Sequence, residues 1–378
     1  MINKTKQYLI LFVLLLTLFN CKNDPIKENS VSLKQAFQND FFIGAAINKD
    51  QIEGTDTLAV NLLKKEFNAL TPENEMKWEQ IHPKKDSFYF DVADKYVALG
   101  EKMNAHIVGH TLVWHSQLAP WMQEIEDSTV MANQVKHHIN TIVTKYKGRI
   151  NSWDVVNEAL NEDGTLRQSI FYNVLGENYI EQAFKAASIA DPEAELIYND
   201  YNMWKPAKRA GAIKLVKQIQ AKGTTIDGIG MQAHWSLNGP SLEDIENSII
   251  EYSKLGVKVM ITELDVTALP NPWDLEGAEV SQNYDELVGD KTMDPYQKAL
   301  PDSIQVKLAN RYEAIFKLFL KHKDKIGRVT FWGVTDKQSW LNNWPIKGRT
   351  NYPLLFDRDF STKKAYDSVI ALKQNNDE

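Results

Sequence analysis

Ile150-Asn-Ser-Trp-Asp-Val-Val-Asn-Glu158 and Val257-Lys-Val-Met-Ile-Thr-Glu263 are two short apolar runs that each end on a glutamate. Their Val- and Ile-rich bodies read as strands. A carboxylate at the end of a short strand is held by a rigid element yet presented at a sheet rim, where one member of a pair can attack and the other can donate a proton. About a hundred residues separate the two glutamates, so only a fold brings them together.

Outward from these runs, the chain from Leu33 on alternates strand-like and helix-like segments, with no sequence repeat and no low-complexity linker. Strands are expected near Phe41–Ala46, Ala69–Thr71, His106–Thr111, Ser152–Val156, Leu196–Asn199, Gly228–Gln232, Lys258–Thr262 and Arg328–Trp332. Helical patterns lie between them at Leu58–Phe67, Val130–Tyr146, Tyr179–Ala190, Lys208–Gln220, Leu242–Leu255 and Val306–His322. Eight strands in such alternation predict an α/β chain forming a single (β/α)8 TIM barrel, with a doubly wound sheet as the structural alternative. A barrel places chemistry in the loops at the C-terminal ends of its strands. Polar and aromatic residues do gather there: Thr71-Pro-Glu-Asn-Glu-Met-Lys-Trp78, Gly109-His-Thr-Leu-Val-Trp-His-Ser-Gln117, Asn157-Glu158, Asn199-Asp-Tyr201, Gln232-Ala-His-Trp235, Thr262-Glu-Leu-Asp265 and Trp332-Gly-Val-Thr-Asp-Lys-Gln-Ser-Trp340.

The 378 residues are 43% hydrophobic and 25% charged, which suits a soluble enzyme rather than a disordered or fibrous chain. A net charge of -7, without basic residues interleaved with aromatics, argues against nucleic acid as a partner. Ten Trp and 14 Tyr suit either a large core or a surface that stacks on sugar rings. At the N-terminus, Lys4 and Lys6 precede an apolar run from Tyr8 to Phe19, too short to span a bilayer and shaped like an export signal. The expected organisation is a signal peptide over 1–20, a polar tether over 21–32 and a catalytic domain over 33–378. Cys21 directly follows the apolar run and resembles the acylated cysteine of a bacterial lipoprotein, although Asn20 is bulkier than the small residue usual before it. The protein is therefore expected to be exported and lipid-anchored at the cell envelope, with a periplasmic or secreted form as the alternative. Cys21 is the one cysteine, so no disulfide forms within the chain, and a monomer is expected.

The rim segments resemble glycoside hydrolase family 10, the retaining endo-β-1,4-xylanases, over about Phe41 to Asp367 and in the family's order. The resemblance implies Glu158 as acid/base and Glu263 as nucleophile. Either glutamate alone would read as a rim salt bridge; together they read as a catalytic pair about 5 to 5.5 Å apart. An ionised Glu263 is expected to favour a protonated Glu158, and to release it once esterified. Glu263 and Asp265 share a strand face and need a cationic or donor partner, for which His234 is the candidate; the resemblance makes it the bridge that orients the nucleophile. It further implies Glu73, Asn74, Lys77, His110, Trp114, Asn157, Gln232, Trp332 and Trp340 as sugar-binding residues on the nonreducing side of the cleaved bond, and Gln117 is read as a further sugar contact. Trp332 and Trp340 are expected to leave no room for the hydroxymethyl arm that glucose has and xylose lacks. The expected substrate is xylan or xylo-oligosaccharides. A metal site drawing on His110, His115 and His234 is disfavoured, because no close-spaced histidine pair resembles a zinc motif and the two-carboxylate mechanism needs no cofactor. The alternatives are a related β-1,4-glycanase, a hydrolase of short xylo-oligosaccharides, or a surface glycan-binding protein that has lost turnover. Two departures from the family's pattern bear on the cleft rim: the proline in Ala119-Pro-Trp121 falls one place late, and the link Leu269–Ser303 is long.

Overall fold

Strand after strand in the chain is buried along most of its length, as parallel strands covered on both faces must be. The computed structural model describes residues 31–272, 275 and 280–374. Cys21 and the expected signal and tether up to residue 30 lie outside the described residues. The strands are β1 (Phe42–Ile47), β2 (Ala69–Pro72), β3 (His106–Trp114), β4 (Ser152–Asn157), β5 (Glu195–Asp200), β6 (Gly228–Met231), β7 (His234–Ser236), β8 (Lys258–Thr267) and β9 (Ile326–Phe331). Each neighbouring pair is parallel from β1 to β6, β9 joins β1 to β8, and pairing of β6 with β8 closes the ring. The result is the (β/α)8 barrel expected, with the helices packed around it.

The sixth stave departs from the expected unbroken strand Gly228–Gln232. It stops at Met231, turns through Ala233 at φ +64°, and resumes as β7, which pairs His234 with Asp265 on β8. This break lets His234 turn toward the end of β8. Helix Asp91–Met103, between β2 and β3, is not among the helices expected from periodicity; it buries Ala93, Tyr96, Val97 and Gly100 on one face. The expected helices are present with ends shifted by up to four residues. The helix read at Val130–Tyr146, for example, is Ser128–Lys145 and starts where the Asp127 carboxylate accepts the Val130 N–H at 2.8 Å.

Close packing around β3 and β4 fixes where the first glutamate emerges. Trp153 on β4 is fully buried and lies across Gly109 on β3, where a Cβ would come within 2.0 Å of the indole ring. Only glycine lets the two strands approach there. All eight staves run in one direction, so their C-terminal ends meet at one mouth. The described part of the long link after β8 is tied to the loop after β9: Arg349 donates to the Pro270 carbonyl at 2.8 Å, and the Thr350 N–H to Asp294 at 3.1 Å.

Candidate active site

The mouth of the barrel encloses a cavity of ≈ 150 Å³ lined by Glu73, Asn74, Lys77, His110, Trp114, Gln117, Asn157, Glu158, Gln232, His234, Glu263, Val280, Trp332 and Trp340. Every residue proposed from sequence to meet the sugar therefore faces one space. Asp265 stands just behind it.

Glu158 follows the last residue of β4 and is 3% exposed. Its φ of +58° is a left-handed conformation that costs a non-glycine residue about 1 to 3 kcal/mol. Trp114 Nε1 donates to its Oε2 at 2.8 Å, and Gln232 Nε2 to its Oε1 at 2.9 Å. These neutral donors do not offset the loss of water. Burial first, then the negative charge of Asp200, push the carboxyl up to about 7; Glu263 adds a smaller push in the same direction. Glu263 thus acts in the expected direction, behind burial and Asp200.

Glu263 lies within β8, 5% exposed. Asn199 Nδ2 donates to its Oε1 at 2.8 Å, and His234 Nε2 lies 3.2 Å from its Oε2. The other ring nitrogen of His234 is 3.0 Å from Asp265 Oδ2, which also accepts Trp340 Nε1 at 2.8 Å. Burial disfavours charge on His234, yet Asp265 and Glu263 outweigh it and hold the imidazole up at about 10, doubly protonated at neutral pH. Burial would likewise raise Glu263, but the His234 hydrogen bond, the fields of His110 and His234 and the Asn199 amide keep it below the usual carboxylate range. The two glutamates are joined by an amide chain: Gln232 Nε2 also reaches Asn157 Oδ1 at 3.3 Å, which accepts from Asn199 Nδ2 at 2.9 Å.

The opposite wall is polar. Lys77 Nζ donates to Asn74 Oδ1 at 2.9 Å and to Gln117 Oε1 at 2.8 Å, and lies 4.9 Å from the centre of the Trp114 ring. Enclosure lowers its affinity for a proton, partly restored by Glu73, Glu263, Glu158 and Glu75. Burial pushes Glu73 up to about 6 against the pull of Lys77. His110 Nδ1 is 2.9 Å from the buried Asp154 Oδ2, which fixes the ring beside Trp332. Trp340 stacks on Trp344 with ring centres 4.5 Å apart.

Three residues at this mouth carry contacts that reasoning from sequence did not assign. Asn199 holds Glu263; Asp200 and Lys208 form a fully buried ion pair at 2.9 Å beneath Glu158. The segment Asn199-Asp-Tyr201 stood out as polar residues after a strand, but nothing in it marked which side chain turns inward. Lys208 sits inside a helix, where a lysine ordinarily faces water.

Comparison with known proteins bears on the fold and the family. Residues 32–372 match the model of glycosyl hydrolase family 10. The endo-1,4-beta-xylanase A of Xylanibacter ruminicola is 44% identical over 92% of this chain and 95% of its own length. The endo-1,4-beta-xylanase of Geobacillus stearothermophilus is 41% identical over 90% and 98%. A GH10 endoxylanase structure from a sugarcane soil metagenome superposes with a TM-score of 0.86 at 45% identity, covering 90% of this chain and 100% of that one. Xylanase 10B of Thermotoga petrophila, solved in complex with xylobiose, gives a TM-score of 0.80 at 34% identity, over 93% and 99%. With matching extending over nearly the whole barrel, the chain belongs to glycosyl hydrolase family 10.

Proposed function

We propose that this protein is a retaining endo-1,4-β-xylanase in which Glu263 is the nucleophile and Glu158 the acid/base. The observation that carries the assignment is the opposed state of two buried carboxyls in one cavity: Glu158 pushed up to about 7 and Glu263 held low by the His234 cation. At neutral pH, Glu263 is a carboxylate ready to attack the anomeric carbon, and Glu158 retains a proton for the leaving oxygen. Attack forms an ester between Glu263 and the sugar while the proton of Glu158 passes to the departing chain. With Glu158 then a carboxylate, it takes a proton from an incoming water, whose oxygen displaces Glu263 and restores both groups. Two inversions at one carbon give net retention.

The remaining residues position the sugar. Asn157 is placed to hold the 2-hydroxyl, where a hydrogen bond strengthens as charge develops. Glu73, Asn74, Lys77 and Gln117 form a linked set of donors and acceptors for ring hydroxyls. Trp332 and Trp340 wall off the position a hydroxymethyl group would need, which favours pentose over hexose. Export and lipid attachment at Cys21 extend the proposal to location, supported by the short apolar run Tyr8 to Phe19 just ahead of the lone cysteine. Hydrolysis of glucuronoxylan, arabinoxylan and soluble cellulose by the mature domain, followed by NMR at early times, tests the activity. Xylan cleavage to products first appearing as the β anomer is expected. Initial α products, or preference for cellulose, would contradict it.

A further inference from the structure

The turn that carries Glu158 is held by several bonds, and two of them lead, directly or through Tyr198, to one carboxylate. The Glu158 N–H donates to the Asn199 carbonyl at 2.9 Å, and its own carbonyl accepts from Arg167 Nε at 3.0 Å. The next two amides are held as well. Ala159 N–H donates to the Tyr198 hydroxyl at 3.2 Å, and Leu160 N–H to Asp200 Oδ2 at 3.3 Å. Tyr198 donates its hydroxyl proton to that same Oδ2 at 2.6 Å. The other oxygen, Oδ1, accepts the Tyr201 N–H at 2.8 Å and lies 2.9 Å from Lys208 Nζ. Asp200 and Lys208 have no exposed surface, and neither lines the catalytic cavity.

Neutral amides and hydroxyls would suffice to hold a turn. Burying an ion pair instead costs desolvation of both charges, which geometry repays only in part. What a buried carboxylate adds is a fixed charge. Glu263 loses its charge on forming the glycosyl ester, whereas Asp200 takes no part in that bond; burial raises its proton affinity, and Lys208 and the Tyr198 hydroxyl work against that rise. A group that serves first as acid and then as base gains from a proton affinity near working pH in each role.

Taking Glu158 as the acid/base, we propose that Asp200 and Lys208 are its positioning pair: Asp200 anchors the Glu158–Leu160 turn and supplies a constant negative charge beside the carboxyl, and Lys208 moderates that charge. Lys208 is itself fixed, 3.2 Å from Glu162 Oε1 and 3.6 Å from the centre of the Tyr201 ring. The other charged or titratable groups around Glu158 are Glu263 from β8, Glu73 and Lys77 from the loop after β2, His110 from β3, His234 from β7, Tyr198 from β5 and Arg167 at its carbonyl. Of the anions among them, Asp200 pushes the Glu158 carboxyl up more than Glu263 does.

Asp200→Asn tests this, because the amide retains an acceptor for Tyr198 and Leu160 but not the charge. The alkaline limb of kcat/KM on xylan should move to lower pH, with the acid limb unmoved. In the same variant, kcat/KM at pH 7 should fall about tenfold on xylan and by less than about twofold on an aryl xylobioside whose acidic phenol leaves without a proton. An unmoved alkaline limb with a wild-type ratio of the two substrates overturns the proposal. Should circular dichroism show Asp200→Asn unfolded, Tyr198→Phe decides: it removes one arm of the clamp, and kcat on xylan should drop about fivefold with KM unchanged. An unchanged kcat there overturns the positioning role. Glu158→Ala, assayed in parallel, separates the two layers of argument. Equal losses on xylan and aryl substrate in that variant would sink the acid/base assignment and this proposal with it, while a normal Glu158→Ala pattern with no response at position 200 would sink the proposal alone.

Discussion

Glu158 and Glu263 are the same residue type, one just past the end of β4 and the other within β8, and they are nearly equally buried. Their surroundings differ in the charges that stand beside them. Around Glu263 stands a cation, the His234 imidazolium, steadied from behind by Asp265 and Trp340. Around Glu158 stand neutral donors, Trp114, Gln232 and Asn157, with the anion of Asp200 close by. Burial raises the proton affinity of both carboxyls; only Glu263 has a charge partner strong enough to reverse that. Opposite roles therefore come from the neighbours, and changing a neighbour should convert one behaviour toward the other.

The largest effect is expected from removing the carboxyls themselves. Glu158→Ala should lower kcat/KM on xylan by roughly 10³-fold while leaving the first step on an activated aryl xylobioside nearly intact, since that leaving group needs no proton. Steady-state and burst kinetics on the two substrates check this; equal losses would mean Glu158 is not the acid. Next comes the cation. His234→Ala leaves Glu263 and Asp265 facing each other without a counter-charge, so kcat should fall about a hundredfold and the acid limb of the pH profile should move up, because Glu263 no longer ionises as readily. An acid limb unmoved in that variant would show that His234 does not set the state of the nucleophile.

A smaller shift sharpens the contrast between anions. In Glu263→Gln, the Glu158 carboxyl should titrate at lower pH than in the parent, but by less than in Asp200→Asn. Carboxyl NMR titration of both variants gives the ranking, and a larger drop in Glu263→Gln would restore the nucleophile as the main influence.

The smallest effect is on stability. A carboxyl whose proton affinity is raised to about 7 by folding, from 4.5, disfavours the folded state once it ionises. This destabilisation is absent below the unfolded value and develops as pH rises from 4.5 through 7, reaching about 3 kcal/mol. Glu158→Gln should then raise Tm by a few degrees at pH 8 and leave it unchanged at pH 4, as calorimetry would show.

How much of this was legible in the sequence depends on the length scale of the signal. The barrel and both glutamates are written in local patterns: Val/Ile runs ending on Glu158 and Glu263, and polar clusters after each strand. The residues expected to face the sugar follow from the resemblance to the family's motifs, and all of them reach one cavity. The break in the sixth stave was not legible, because Ala233 adopts its left-handed φ without the glycine that usually announces one. Nor was the Asp200–Lys208 pair, whose members belong to a strand end and a helix and meet only through the packing of the turn between them. Helix Asp91–Met103 carries an amphipathic face, but the run Phe88-Tyr-Phe90 directly before it obscures where its period begins.

The roles of the two glutamates are tested most directly by the stereochemistry of azide rescue. In Glu158→Ala, azide should attack the glycosyl ester on Glu263 and release a β-glycosyl azide; in Glu263→Ala, it should enter in place of the missing carboxylate and release the α-azide. NMR of the isolated products reads the anomer without reference to rate. Opposite anomers from the two variants are the predicted result, and the same anomer from both would contradict the assignment of acid/base to Glu158 and nucleophile to Glu263.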